Sequence, residues 1–206
     1  MGRHTGSACK QCRREGTKLY LKGERCSSQK CSFAKRSYPP GQHGQGKKRV
    51  SEFGIRLREK QKARSVYGLG ERQFRNYFET AAKSKSSTGD KMLELLERRL
   101  DNVVWRMGLS TSRQMARQFV RNGHIVVNGK KVNIPSFSVK EGTVVDVKIS
   151  NKELFAQLVE KTKERNVPGW ISFDPQTLQG KIMAMPKRSD IESLIDERLI
   201  VEFYSR

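Results

Sequence analysis

Apolar side chains recur every three or four positions through the middle of the chain, which is the spacing that gives a helix one buried face. Phe53, Leu57, Val66 and Tyr67 predict a helix from a Ser51 cap to Tyr67, closed by Gly68. Phe74, Tyr77, Phe78 and Ala81 stand at i, i+3, i+4 and i+7 and predict a second, from Glu71 to Lys83. Helical packing explains that aromatic stripe fully, so it is assigned to core rather than to base stacking. Ser86 to Gly89 reads as a break. Leu93, Leu96, Leu100, Val103, Val104 and Met107 then predict one helix from Asp90 to Met107, stopped by Gly108. A further helix follows the hydroxyl caps Ser110 to Ser112 and runs to Arg121, with Met115, Ala116, Phe119 and Val120 inward.

Beyond Asn122-Gly123 the pattern changes to strands. His124 to Val127 predicts a strand, and Asn128-Gly129 is the pair that best tolerates the positive φ of a type I′ hairpin. Lys131 to Ile134 returns, Glu141-Gly142 turns, and Thr143 to Ile149 alternates as a third strand, giving two helices backed by a small curled sheet. Ser150 with Glu153 forms a capping-box pattern for a helix to about Arg165, and Trp170 to Phe173 and Lys181 to Met185 read as strands. Ser189 with Glu192 suggests a last capping box, for a short helix carrying Ile191, Leu194 and Ile195. Near the other end, Tyr38 to Gly46 holds two prolines and three glycines, which excludes helix and favours an extended, exposed path.

Charge narrows the function. The 206 residues carry 42 Lys and Arg against 21 Asp and Glu, a net +21. A chain so charged repels itself unless a polyanion is near, which makes nucleic acid the first candidate partner and an anionic membrane surface the alternative. Residues 1–50 hold +11, 51–89 hold +5, 90–149 hold +5, and 150–206 are balanced, so the polyanion should meet the first three segments. No apolar run approaches the ~18 residues of a membrane span, and Met1 to Lys18 lacks a signal-peptide core, so a cytoplasmic protein is expected.

Four cysteines fall within the first 31 residues. Cys9-x2-Cys12 and Cys26-x4-Cys31 have the spacing of two knuckles closing on one tetrahedral metal. Zinc is the default, and a four-iron four-sulfur cluster on the same thiolates is the alternative. Lys10, Arg13, Arg14, Arg25 and Lys30 should favour the thiolate form. Few large apolar residues accompany the cysteines, so the metal would supply most of the arm's folding free energy.

The candidate nucleic-acid contacts follow the charge. In the arm and the Pro-Gly segment they are Arg3, Arg13, Arg14, Arg36, Tyr38, Gln42, His43, Lys47, Lys48 and Arg49. Helical candidates are Arg56, Arg58, Lys62, Arg64, Arg72 and Arg75. Arg113, Arg117 and Arg121 stand at i, i+4 and i+8 on one helix face, with no acidic residue between Asp101 and Glu141, and should repel one another without an anion. His124, Asn128 and Lys131 complete the set.

Arg99-Leu100-Asp101, Ser112-Arg113, Ala116-Arg117, Gly123-His124-Ile125, Val127-Asn128-Gly129 and Pro135-Ser136 resemble the RNA-binding fold first recognised in the fourth protein of the small ribosomal subunit. Pseudouridine synthases and tyrosyl-tRNA synthetases share that fold. Arg36 to Gly44, Leu57 to Lys62, Glu71 to Arg75 and the ending Leu199 to Arg206 extend the resemblance to the bacterial form of that ribosomal family across essentially the whole chain. The four cysteines resemble its metal-bearing variant, while Gln114 stands where the family commonly has a further arginine.

The resemblance implies an α+β protein with an N-terminal metal-knuckle arm, an all-helical domain, and an inserted RNA-binding domain of two helices packed on a small mainly antiparallel sheet. The expected boundaries are 1–45 for the arm and extended segment, 46–97 for the helical domain completed by about 178–206, and 98–177 for the RNA-binding domain with its core at 98–149. It also implies a structural protein that binds small-subunit rRNA and nucleates assembly. The implied partners are the fifth and third proteins of the subunit and mRNA where it enters, with effects on translational accuracy and, in some bacteria, repression of its own operon. The competing function is a pseudouridine synthase, whose aspartate sits in an Arg-Leu-Asp motif. Here that motif opens the RNA-binding fold instead of following it, so Asp101 is expected to be structural and the protein not to be an enzyme. A zinc-dependent DNA regulator would need a finger helix where Pro39-Pro40-Gly41 stands.

Overall fold

The computed structural model describes residues 6–46, 49–163, 165–191 and 194–205. Helices are α1 (Ala8–Glu15), α2 (Glu24–Ser27), α3 (Ser32–Lys35), α4 (Glu52–Val66), α5 (Glu71–Ala82), α6 (Thr88–Glu97), α7 (Leu100–Arg106), α8 (Arg113–Arg121), α9 (Lys152–Lys161) and α10 (Glu197–Tyr204). Strands are β1 (Ile125–Val127), β2 (Lys130–Lys131), β3 (Val144–Val147), β4 (Ile171–Asp174) and β5 (Gln179–Ile182). The chain divides into two compact units, Met1–Met92 with Ser193–Arg206, and Leu93–Glu192.

In the first unit Ser51 caps α4, its hydroxyl accepting from the Gly54 N–H at 3.2 Å, and Gly68 follows the helix at φ +63°. Phe74 is fully buried on α5. The chain end returns to these helices: α10 packs on α4, Phe203 lies 5.6 Å from Phe53, and Tyr204 stacks on Phe78 at 4.6 Å. Gly89 permits that return, because a Cβ there would stand 2.8 Å from Glu197 Cγ. Thr88 and Gly89 therefore belong to α6, not to a break, and the loop ends at Ser87.

Tyr38 to Gly46 is not extended. Gly44 N–H bonds the Gly41 carbonyl and Gly46 N–H the His43 carbonyl, each at 3.2 Å, so the segment coils through consecutive turns. A Cβ on Gly44 would meet Pro39 O at 2.0 Å, so only glycine fits that turn.

The second unit differs from the expectation of one helix over 90–107. The chain breaks at Arg98-Arg99, and Arg99 is extended (φ −68°, ψ 136°). The break is satisfied by distant backbone: Val139 N–H bonds Arg98 O at 2.9 Å, and Leu100 N–H bonds Phe137 O at 2.8 Å. A nonlocal pairing thus replaces intrahelical bonds, and no local pattern encodes it.

The sheet has five strands in the order β2-β1-β3-β5-β4, every pair antiparallel. Asn128 (φ 48°) and Gly129 (φ 76°) make the expected tight hairpin. The return strand is only Lys130–Lys131, shorter than the expected 131–134. The two later strands join the same sheet, Val144 opposite Lys181 and Val145 opposite Gly180. Gly180 also lets Met107, the C-cap of α7, reach the sheet, since a Cβ would lie 2.4 Å from Met107 Cε. Leu100, Val103, Phe119, Ile125, Phe155 and Ile182 are among the residues of one core between helices and sheet.

Tight turns stand at both positions where capping boxes were expected. A 3₁₀ turn over Ile149–Asn151 leads into α9, whose N-cap is Asn151 without a side-chain bond, and the helix ends at Lys161. The second is a 3₁₀ turn over Arg188–Asp190, with Asp190 Oδ2 accepting from Lys187 N–H at 3.1 Å. Its expected partner Glu192 lies outside the described residues.

Candidate nucleic-acid interface

Ser112 starts α8 by accepting from the Met115 N–H at 3.3 Å, and burial of Ala116, Phe119 and Val120 fixes which face turns outward. The arginine triplet occupies the rest, but its members are not alike. Arg113 Nε donates to Asn102 Oδ1 at 2.7 Å, and its guanidinium lies 3.6 Å over the Trp105 ring. Arg117 pairs with Asp101 at 3.3 Å. Arg121 is exposed on the last turn. The expectation that the triplet lacks a protein anion is corrected here: Asp101 precedes α8 in sequence but meets its face in space.

Asp101 is buried and also accepts from Arg99 Nε at 3.0 Å and Nη2 at 2.6 Å. A carboxylate so engaged is structural. Beneath it, Glu97 is fully buried, bonding Arg106 twice at 2.9 Å and accepting from Asn102 Nδ2 at 2.7 Å. Arg165 donates to the carbonyls of Trp105, Ser110 and Thr111, with its guanidinium 4.7 Å from the Trp105 ring. Burial, then the nearby Arg106 charge, holds Arg165 below its ordinary value. The sequence reading missed Glu97, Asn102, Trp105 and Arg165. A tryptophan amid so many arginines was the available signal, hidden by treating 90–107 as one helix.

His124 is half-buried, its ring edge-on to Phe119 at 5.9 Å and its Nδ1 2.8 Å from Asn151 Nδ2, so it packs the core edge. Asn128 Oδ1 accepts from Val144 N–H at 2.8 Å and locks the hairpin to β3. Lys131 lies across Gly123, where a Cβ would come within 2.9 Å of its ammonium.

The first unit shows the same division. Arg13 donates to Tyr38 O at 2.9 Å and sits 5.0 Å over the Tyr38 ring, so these two candidates hold each other and fasten the Pro-Gly turns to α1. Arg56 pairs with Glu202 and Glu52, Arg58 with Glu15, Lys62 with Glu59, Arg64 with Glu71 and Arg75 with Glu79. Burial pushes the Glu71 carboxyl up, but hydrogen bonds from Lys60 and Tyr204 and the charges of Lys60 and Arg64 outweigh it and hold it below its ordinary value. Arg14, Arg36, Gln42, His43, Arg49 and Arg72 are exposed. Arg3, Lys47 and Lys48 lie outside the described residues.

Cys12, Cys26 and Cys31 are buried and Cys9 half-buried, all as free thiols. Among the described residues no group of three or more His, Cys, Asp or Glu side chains is arranged to hold a metal ion. The donor chemistry nevertheless fits a soft metal. Cys26 Sγ accepts the Lys22 N–H at 3.3 Å, backbone N–H groups of Leu19 and Ala34 stabilise the Cys12 and Cys31 thiolates, and Cys12 feels the charges of all three other cysteines. The expected effect of basic neighbours is corrected in part. Burial dominates at Cys12 and raises its pKa, while Cys31 is lowered chiefly by backbone N–H groups, with Lys18 and Arg25 secondary.

With α8 presenting Arg121 to solvent beside an antiparallel sheet, residues 98–145 match the family model described as the S4 domain, an RNA-binding class of domain. Residues 3–97 match the Ribosomal protein S4/S9 N-terminal domain. The chain is 55% identical over 208 residues to the small ribosomal subunit protein uS4 of Desulforamulus reducens, and 55% over 210 to that of Acetivibrio thermocellus, covering all of each chain. That of Pelotomaculum thermopropionicum is 53% identical, again over full length. The chain belongs to the uS4 family of small ribosomal subunit proteins.

Proposed function

We propose that the chain is a structural constituent of the small ribosomal subunit, binds its rRNA directly and is not an enzyme. The observation that carries this is identity of more than half the residues, end to end, with small-subunit proteins. The geometry is consistent with it: Asp101, the one residue the synthase alternative would need, is buried between Arg99 and Arg117. No helix among the described residues is long and apolar enough to cross a membrane. The protein works where the subunit works, in the cytoplasm. The finer parts of the reading rest on family resemblance: assembly nucleation, contacts with the fifth and third proteins of the subunit, contact with incoming mRNA, translational accuracy and repression of its own operon.

RNA affinity is assigned first to exposed cations: Arg14, Arg36, Arg49 and Arg72 in the first unit, Arg121 and Lys131 in the second. Filter binding of an rRNA junction fragment should show each alanine replacement at a phosphate contact lowering the slope of log affinity against log salt by roughly 0.7 to 0.9. An unchanged slope for all six would contradict the assignment, and equal affinity for duplex DNA at physiological salt would contradict the ribosomal reading. Reversing Arg117 is the poorer probe, because a new carboxylate would face Asp101 and test folding instead.

We also propose that Cys9, Cys12, Cys26 and Cys31 hold one metal centre, zinc in the first instance and a four-iron four-sulfur cluster as the alternative. Support comes from the spacing of the cysteines in sequence, the Lys22 N–H bond to Cys26 Sγ and the charges of the other three cysteines felt at Cys12. A bound metal would cross-link α1 to the 26–31 turn and stabilise the arm against its own charge.

A further inference from the structure

Arg113 is held by a relay whose direction is fixed by chemistry. Glu97 offers only acceptors, and Asn102 Nδ2 donates both to its carboxylate at 2.7 Å and to its backbone carbonyl at 3.1 Å. The amide nitrogen must therefore face Glu97, which leaves Oδ1 to face α8 and receive Arg113 Nε at 2.7 Å. Asn102 is buried and cannot exchange this bond for water.

The second constraint is Trp105. Its ring lies 3.6 Å under Arg113, 4.7 Å from Arg165 and 5.1 Å from Arg106. Arg106 is held by Glu97, and Arg165 by three carbonyls, so the indole is flanked by guanidiniums that are themselves anchored. A guanidinium bonded at Nε in its own plane and stacked on an aromatic face has lost most of its rotamer freedom before any ligand arrives. Three arginines thus gather around one indole beside the buried Glu97 carboxylate, and Arg113 is the one of the three that belongs to α8.

We propose that Asn102, backed by Glu97, is a positioning residue for RNA: it holds Arg113 against Trp105 in the orientation in which the guanidinium meets a phosphate of small-subunit rRNA. This rests on the RNA-binding reading above. Positioning and contact leave different signatures, because losing a contact lowers the salt slope, whereas losing preorganisation lowers affinity with the contact still made.

The test is filter binding of the full-length protein to a folded junction fragment of small-subunit rRNA across a salt series, with folding of each variant verified by circular dichroism. Asn102→Ala should weaken binding on the order of tenfold with the slope retained. Arg113→Ala should weaken binding and lower the slope by roughly 0.7 to 0.9. Arg113→Lys should retain the slope and lose affinity as Asn102→Ala does, which keeps the test available should Asn102→Ala not fold. Adding Asn102→Ala to either Arg113 variant should then change nothing further. The inference is overturned if Asn102→Ala binds as the unaltered protein does, or if its effect persists undiminished without Arg113, as a general loss of structure would produce. Unaltered protein that fails to bind the fragment overturns the RNA-binding reading itself, so the two failures are distinguishable.

Discussion

Glu97→Gln should destabilise the unit Leu93–Glu192 by about 3 to 5 kcal/mol, the cost of breaking a buried ion pair by removing one partner. Glutamine preserves the volume, so the loss is electrostatic. Glu97 is 0% exposed and its two oxygens take two bonds from Arg106 and one from Asn102. Neutralising it removes the carboxylate that bonds Arg106 twice, beside Arg113 and Arg165 around the same indole. A typical domain has about 5 to 15 kcal/mol in total, so the unit would be left marginal. Urea denaturation followed by amide exchange reads this directly: protection should fall across α7, α8 and the sheet. A loss under about 1 kcal/mol would show that water or rearrangement neutralises Arg106 and would remove the basis for the prediction. Replacing Arg106 by leucine in the Glu97→Leu background should recover part of the loss, because an apolar pair has no stranded charge.

The same network explains what the sequence could and could not disclose. Ser51 and Ser112 as caps, Gly68 as a stop, and Asn128-Gly129 as a hairpin were legible because each depends on residues within four positions. The buried face of α8 was legible for the same reason. The break at Arg98-Arg99 was not, because the apolar spacing from Leu93 to Met107 runs through it without a phase change and the cause is a pairing with residues 137–139. The five-stranded sheet was only half legible: β1 to β3 follow one another, but β5 joins β3 from more than thirty residues away. The candidate RNA contacts show the limit of reasoning from charge alone. Basic residues were assigned to RNA by charge, yet Arg56, Arg58, Lys62, Arg64, Arg75 and Arg117 all meet carboxylates, several of them far along the chain. With 21 acids for 42 bases, half the cations can be paired, and sequence does not say which half.

Removing the metal proposed for the four cysteines should have the other large effect, confined to the arm. The helices there have eight, four and four residues, well below the roughly 12 to 15 at which an isolated helix is even marginal. Their apolar core is Ala8, Cys12, Leu19 and Leu21, with Phe33 and Val66 packed against it. At ~1.5 to 3 kcal/mol for each large side chain, that core is small against the ~1 to 2 kcal/mol needed to order each residue's backbone. Structural zinc in comparable peptides supplies about 10 to 16 kcal/mol, enough to decide whether the arm folds. Chelation should therefore abolish amide protection over residues 8–36 while leaving α7, α8 and the sheet protected, and restoring zinc should reverse it. Cys26→Ser should reproduce chelation without a chelator, because it removes both a thiolate ligand and the sulfur that accepts the Lys22 N–H. Visible absorbance in anaerobically purified protein, lost in air, would assign the centre to an iron-sulfur cluster instead. Metal-free protein with full protection over 8–36 would show that packing of α1 against α4, including the Glu15–Arg58 pair, is sufficient by itself.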